Sequence, residues 1–365
     1  MRKPQMHKNP LGCAISLTEY NKTKKLPAAL CAAGGVCVFI SLHIEEEFCS
    51  SYTQQVKDLC ALLCSKHARI LADVSPKTLE IFKMSSFLEL KQTLGLWALR
   101  IDDGLTPQEI ADLAKTMPIV VNASTICPDD AQLIVQSAQT SSNPLVYAMH
   151  NFYPRPLTGL DSAFFDECND TLKRLGMHIM AFIPADKVKR IPLREGLPTL
   201  EHQRTLSPYV SFAQMNIRYE VDEVFCADPE ISYYEQALID TFIQQDMLVI
   251  PAELHPGYEY LYRKIFTCRK DSPSWLVRFE ESRQYASDQS KGSHCIEPLC
   301  TTFRKRGYIT MDNKHFMRYQ GEIELLRNDF PADTRVNVLG HVDEHYVELI
   351  DLIGRGTRFM LVPAQ

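Results

Sequence analysis

Short β-branched or apolar runs recur through the first two-thirds of this 365-residue chain, each followed by a stretch patterned as a helix, and this alternation limits the fold more than any other feature. The runs are Cys13–Leu17, Val36–Leu42, Arg69–Asp73, Leu96–Asp102, Ile119–Asn122, Leu145–His150, His178–Ile183 and Glu223–Ala227. Strands separated by helix-length intervals form a parallel sheet covered by helices, and eight such units predict an α/β (β/α)8 barrel of the TIM type. No Gly-rich fingerprint follows the first strand, which removes a dinucleotide or P-loop reading. Ser232–Gln245 reads as the eighth helix, and Asp246–Ile250 then leaves the barrel. From Glu253 the texture becomes short alternating runs, Trp275–Val277, Tyr308–Thr310, Gly321–Leu325, Val336–Leu339 and Phe359–Val362, separated by turn residues. The sequence therefore divides into a barrel over residues 1–250 and an all-β module, closed or nearly so, over 251–365.

A barrel of this kind carries its chemistry at the C-terminal ends of its strands. Here those ends read His43 and Glu46 after strand two, Asp73 after strand three, Arg100 and Asp102 after strand four, Asn122 after strand five, His150 and Asn151 after strand six, and Asp228 after strand eight. A lone aspartate at such a place serves equally as an N-cap, a reading that applies to Asp73 and Asp228. Of Asp102 and Asp103, alternation lets only one point inward. The segment His150–Leu160 is the densest in polar chemistry: two prolines fix the backbone around Arg155, and Thr158 and Gly159 precede a helix beginning near Asp161. His150, Asn151, Tyr153, Arg155 and Thr158 are thus candidate binding residues on a stiff loop. The irregular stretch Pro184–Ser207 after strand seven is longer than most βα loops and holds Lys187, Lys189, Arg190, Arg194, Glu195 and Thr199. It reads either as a solvated surface loop or as a cationic lid over an anionic sugar, since arginine forks match phosphate and carboxylate.

Seven ordered motifs carry a resemblance over nearly the whole chain: S-L-H-I at Ser41–Ile44, D-V-S-P at Asp73–Pro76, L-R-I-D-D-G at Leu99–Gly104, N-A-S-T at Asn122–Thr125, H-N-F-Y-P-R-P-x-T-G-L at His150–Leu160, E-G-L-P-T-L-E at Glu195–Glu201 and R-Y-Q-G-E at Arg318–Glu322. In these the chain resembles the bacterial 6-phospho-N-acetylmuramidase family, also labelled outer surface protein. It departs from the family pattern at Thr18–Tyr20, Glu45 and Trp97–Ala98. The resemblance implies a (β/α)8 barrel followed by a cyclophilin-like β-barrel. It also implies cytoplasmic hydrolysis of the β-1,4 bond of 6-phospho-N-acetylmuramyl-N-acetylglucosamine in peptidoglycan recycling. Such hydrolysis usually employs two carboxyl groups, one as acid and one as base or nucleophile. Asp102, Asp73, Asp228 and Glu195 qualify by position, with Asp102 favoured and its partner open among the other three. His43, Arg100, Asn122, His150, Asn151, Tyr153, Arg155, Thr158 and Arg194 are the expected substrate-binding set, with no metal and no cofactor.

The remaining features bound the alternatives. A net charge of −6 argues against a nucleic-acid partner. The twelve cysteines lack framework spacing, which points to reduced thiols such as Cys37, Cys60, Cys64 and Cys226. His294, Cys295 and Cys300 lack a fourth zinc ligand. Leu26–Ile44 is free of Asp, Glu, Lys and Arg, but Pro27, Gly34, Gly35 and His43 make it helix, turn and strand, with no export signal or membrane partner expected. Two rival readings remain: a metal-dependent sugar-phosphate isomerase or epimerase using His43, Asp73, Asn122 and His150, and a non-enzymatic carbohydrate-binding protein. The expected partner is a small phosphorylated amino-sugar disaccharide, with a homo-oligomer left open.

Overall fold

The computed structural model describes residues 9–26, 35–42, 48–140, 145–282 and 295–365; Pro27, Gly34, His43, Glu45, Glu46 and His294 lie outside them. The chain divides into two compact units, Met1–Gln236 and Ala237–Gln365.

In the first unit eight strands, β1 (Gly12–Ile15), β2 (Cys37–Ser41), β3 (Arg69–Val74), β4 (Ala98–Ile101), β5 (Ile119–Asn122), β6 (Val146–Met149), β7 (His178–Ile183) and β8 (Glu223–Cys226), form a closed barrel in chain order. Every neighbour pair is parallel, and β1 closes on β8 through Cys13 opposite Cys226. Gly12 makes that closure sterically feasible, because a Cβ there would lie 2.6 Å from the Phe225 ring and 3.0 Å from the Cys37 carbonyl. Helices follow the strands with strong start signals: Ser16, Ser86, Thr106, Asp161 and Ser207 cap with their side chains, and Pro76, Pro107, Pro128 and Pro208 stand in first turns. The interior is one apolar cluster that includes Ala14, Phe39, Leu71, Ala98, Val120, Tyr147, Met180, Phe182 and Phe225. Because strand side chains alternate with period two, Asp73, Arg100 and Asn122 lie on the same inward face, one step nearer the C-terminal end. At the N-terminal end of the strands, Arg69 on β3 forms a two-point pair with Glu223 on β8 at 3.2 and 2.9 Å and stacks over Trp97. Charge at that end is therefore spent on closure.

In the second unit β9 (Leu248–Leu254), β10 (Ile265–Thr267), β11 (Leu276–Arg278), β12 (Tyr308–Asp312), β13 (Ile323–Leu326), β14 (Val336–Val342) and β15 (Arg358–Pro363) form a mixed sheet in the order β10-β15-β9-β14-β12-β13-β11. Only β9 and β15 run parallel. The outer strands are joined by a bridge between Cys268 and Phe279, flanked by hydrogen bonds from Arg269 N to Arg278 O and from Glu280 N to Thr267 O, each 2.9 Å. The sheet thus curls onto itself around Phe266, Phe279 and Phe359, whose ring centroids lie 4.7–5.9 Å apart. The segment read from sequence as the exit from the barrel begins β9, which lies between β15 and β14. The described cysteines are free thiols, with Cys37, Cys60 and Cys226 buried but Cys64 exposed in the last turn of helix Tyr52–Ser65, its thiol toward the Gly95 carbonyl at 3.7 Å.

Candidate functional site

Arg100, on β4, organises the C-terminal mouth of the barrel. Its Nη1 donates to Asp73 Oδ1 at 3.1 Å and to Asp102 Oδ2 at 3.2 Å, and its Nη2 donates to Asn151 Oδ1 at 2.6 Å. Arg100 and Asp73 are buried, whereas the Asp102 side chain keeps 31% exposure. Asn122, from β5, donates to the other Asp102 oxygen at 2.7 Å and accepts the Ser124 amide at 3.0 Å. Both Asp102 oxygens are therefore fixed by N–H donors while one edge of the carboxylate faces solvent. Asp103 is exposed and lies off the inward face shared by Ala98 and Arg100, which settles the alternation in favour of Asp102. Among the described residues the buried Arg100 Nε has no hydrogen-bond partner.

His150 stands behind this cluster. Its Nδ1 lies 2.9 Å from Ser124 Oγ and its Nε2 lies 2.9 Å from Asn169 Oδ1, and the ring packs on Phe165. Burial pushes the imidazole down to about 4, opposed by the Asn169 hydrogen bond and helped by the Arg100 charge. Burial raises the Tyr153 hydroxyl above its ordinary value. With both ring nitrogens of His150 engaged and Asp73 paired to Arg100, the two are not open ligands for the cation of an isomerase reading. Among the described residues no group of three His, Cys, Asp or Glu side chains is placed to hold a metal ion.

The rim is built from the loops after β6 and β7. Glu201 receives the amides of Leu157 and Gly159, each at 2.8 Å, and pairs with Arg204 through two bonds of 2.7 Å. Chiefly because of Arg204, its carboxyl is lowered to about 2. Arg204 also donates to the carbonyls of Tyr153, Arg155 and Gly196, so one buried guanidinium ties both loops together. Thr158 turns back to the Arg155 carbonyl at 2.6 Å, and Thr199 bridges the Asn151 carbonyl to the Phe182 amide. Asp228 accepts the amides of Ala185, Arg190 and Leu197 at 2.9–3.2 Å, which fixes the long β7 loop from within.

The structure thus brings together Asp73, Arg100, Asp102, Asn122 and Asn151, with His150 joined to them through Ser124. Arg155, Thr158, Arg194 and Glu195 lie on exposed rim loops, Asp228 is buried beneath one of them, and His43 is outside the described residues. Sequence reasoning did not single out Asn169, Glu201 or Arg204 as site residues. Glu201 closes a quoted motif, and the Glu201–Arg204 spacing is that of a helical ion pair, which is the signal that was there to read.

Such a mouth, with an arginine bridging two carboxylates inside a closed parallel barrel, defines a TIM-type α/β barrel with a polar, carboxylate-bearing site. The models of the 6-phospho-N-acetylmuramidase N-terminal and C-terminal domains match residues 11–240 and 249–362. The chain belongs to the 6-phospho-N-acetylmuramidase family, a glycosidase family by name. Among solved structures it is similar to a conserved Enterococcus faecalis protein with an unknown function, at 29% identity over 97% of this chain and 96% of that one, with a TM-score of 0.79. It is also similar to an uncharacterized B. cereus protein, at 21% identity over 97% and 99% of the two chains, with a TM-score of 0.77. A search of curated proteins found no match.

Proposed function

We propose that this protein hydrolyses the β-1,4 bond of 6-phospho-N-acetylmuramyl-N-acetylglucosamine in the cytoplasm, as a step of peptidoglycan recycling. The observation that carries the reading is Asp102, a partly exposed carboxylate fixed by Arg100 and Asn122 at the barrel mouth. In this reading Asp102 acts as the ionised base or nucleophile of glycoside hydrolysis. Asp73 and Asp228 are positioning residues, the first holding Arg100 and the second holding the β7 loop. Glu195 lies on an exposed loop, and it serves as proton donor to the leaving sugar. Arg155 and Arg194 are exposed and make no ion pair within 4 Å among the described residues, which suits them to the 6-phosphate or the lactyl carboxylate. No described helix is long and apolar enough to cross a membrane.

The test is to incubate the protein with the phosphorylated disaccharide and with its unphosphorylated form, with and without chelator, and to follow released N-acetylglucosamine. Release from the phosphorylated sugar alone, unaffected by chelator, is expected. No release from either would overturn the assignment and favour the isomerase reading, and release abolished by chelator would make the hydrolysis metal-dependent.

A further inference from the structure

The long loop after β7 brings a second guanidinium to the barrel mouth. Asp228, at the end of β8, accepts the Arg190 amide at 2.9 Å, and the same carboxylate holds the amides of Ala185 and Leu197 to either side, so the backbone at Arg190 is pinned from beneath. The Arg190 side chain is 15% exposed. Its Nη2 reaches the Ala14 carbonyl on β1 at 3.4 Å, and its guanidinium lies 5.5 Å from the centroid of the Phe152 ring. These contacts locate it. Ala14 belongs to the apolar cluster inside the barrel, and Phe152 packs against that cluster, edge-on to Phe182 at 5.1 Å. Asn151, the residue before Phe152, holds Arg100 at 2.6 Å. Arg100 and Arg190 therefore approach two consecutive residues of the mouth, one from β4 and the other from the loop after β7.

The arginines of the mouth are engaged differently. Arg100 commits its Nη donors to Asp73, Asp102 and Asn151, and Arg204 commits its own to Glu201 and the carbonyls of Tyr153, Arg155 and Gly196, all at 2.6–3.2 Å. Glu19, from the helix after β1, faces Arg190 Nε at 3.7 Å, an electrostatic approach too long for a hydrogen bond. A planar guanidinium backed by an aromatic ring and carried on a fixed backbone gives up little freedom when it forks onto an oxyanion. We propose that Arg190 is a substrate-binding residue of the barrel mouth, which takes an oxyanion of the sugar on its guanidinium. That the ligand is a sugar rests on the hydrolase reading, whereas the anion subsite does not. The proposed substrate carries two such groups, the lactyl carboxylate and the 6-phosphate, on opposite edges of the muramyl ring. Arg190 meets one of them inside the mouth, which leaves the other to Arg155 and Arg194 on the exposed rim.

The test reads binding and needs no turnover. N-acetylmuramic acid 6-phosphate, N-acetylmuramic acid, N-acetylglucosamine 6-phosphate and N-acetylglucosamine are titrated calorimetrically into the wild-type protein and into Arg190→Met, whose side chain keeps an apolar stem beside Phe152. Affinity is expected to fall by about 10–100-fold for the anionic sugars while N-acetylglucosamine is spared. A loss confined to the two muramic acids assigns Arg190 to the carboxylate, and one confined to the two phosphorylated sugars assigns it to the phosphate. Arg190→Lys, which keeps the charge without the fork, should recover part of the loss. An equal loss on all four sugars is what an arginine that only fills the seam between β1 and the β7 loop would give, and it would overturn the proposal. Unchanged affinity in Arg190→Met, or a wild-type protein that binds none of the anionic sugars, would overturn it too. Anion binding through Arg190 without release of N-acetylglucosamine from the disaccharide would sink the proposed activity and leave the subsite standing.

Discussion

Glu201 and Arg204 grip each other at two points, Oε1 to Nε and Oε2 to Nη2, both 2.7 Å, and the same carboxylate holds the amides of Leu157 and Gly159. Because Arg204 reaches the carbonyls of Tyr153, Arg155 and Gly196 as well, one ion pair ties together the rim loops carrying Arg155 and Glu195. The rim is thus assembled by side chains that need touch no substrate themselves.

The Glu201 carboxyl, held at about 2 against a usual 4.5, makes the latch pH-dependent with a definite sign. A lowered folded value means that the contribution is present above pH 4.5 and is lost as pH falls toward about 2. Amide hydrogen exchange at Leu157 and Gly159 should accelerate selectively across that window relative to barrel amides. In Glu201→Gln the selective acceleration should already be present at neutral pH.

Gly159→Ala tests the same latch by steric means. A Cβ at this position would lie 2.6 Å from Glu201 Oε2 and 2.8 Å from its backbone nitrogen, so the loop has to move. The expected result is a KM raised about tenfold with little change in thermal midpoint, as a rim displacement loses ~1.4 kcal/mol of substrate binding. Unchanged KM would show that the loop position is immaterial to binding.

Much of the barrel was legible in the sequence because buried parallel strands are continuous apolar runs: Ile119–Asn122 and His178–Ile183 were read to the residue. Leu17 was read into β1, yet it begins a helix capped by Ser16, and a three-residue strand such as Ile265–Thr267 is too short to show a period. The site divides on the same principle. Asp73, Arg100, Asp102, Asn122 and Asn151 follow from strand order and alternation, which sequence encodes. Asn169, Glu201 and Arg204 act through long-range partners, backbone amides and carbonyls among them, and only folding brings those within reach. Asp228 shows the limit most clearly: its place at the end of β8 was readable, but its three amide partners were not.

Arg100→Met removes the cation that buried Asp73 faces at 3.1 Å. Leaving a buried carboxylate without its charge partner is expected to cost about 3–5 kcal/mol in denaturant unfolding. Adding Asp73→Asn should restore part of that loss, a non-additivity expected of direct partners. Additive losses would show that the pair is not coupled.

In the second unit, Asp312 is raised to about 7, first by burial and then by Glu322, and Glu324 is raised as well, by burial and then by Asp312. Arg278 pairs with Glu322 at 2.6 Å, and Thr310 donates to Glu324 at 3.3 Å. For a carboxyl raised on folding, stability is greatest below its ordinary value of 3.8 and declines as pH rises toward about 7. Calorimetric melting between these limits should show that decline, and Asp312→Asn should flatten it. A slope unaltered by the substitution would place the titration elsewhere.

The most direct measurement compares Asp102→Asn with Asp103→Asn on the phosphorylated disaccharide, reading both turnover and binding. Adjacent in sequence, the two acids differ in that only Asp102 is held by Arg100 and Asn122. The account predicts that Asp102→Asn binds the sugar but loses turnover by about 10²–10⁴-fold, while Asp103→Asn stays within about threefold of wild type. Wild-type turnover in Asp102→Asn, or the large loss falling on Asp103→Asn instead, would contradict it.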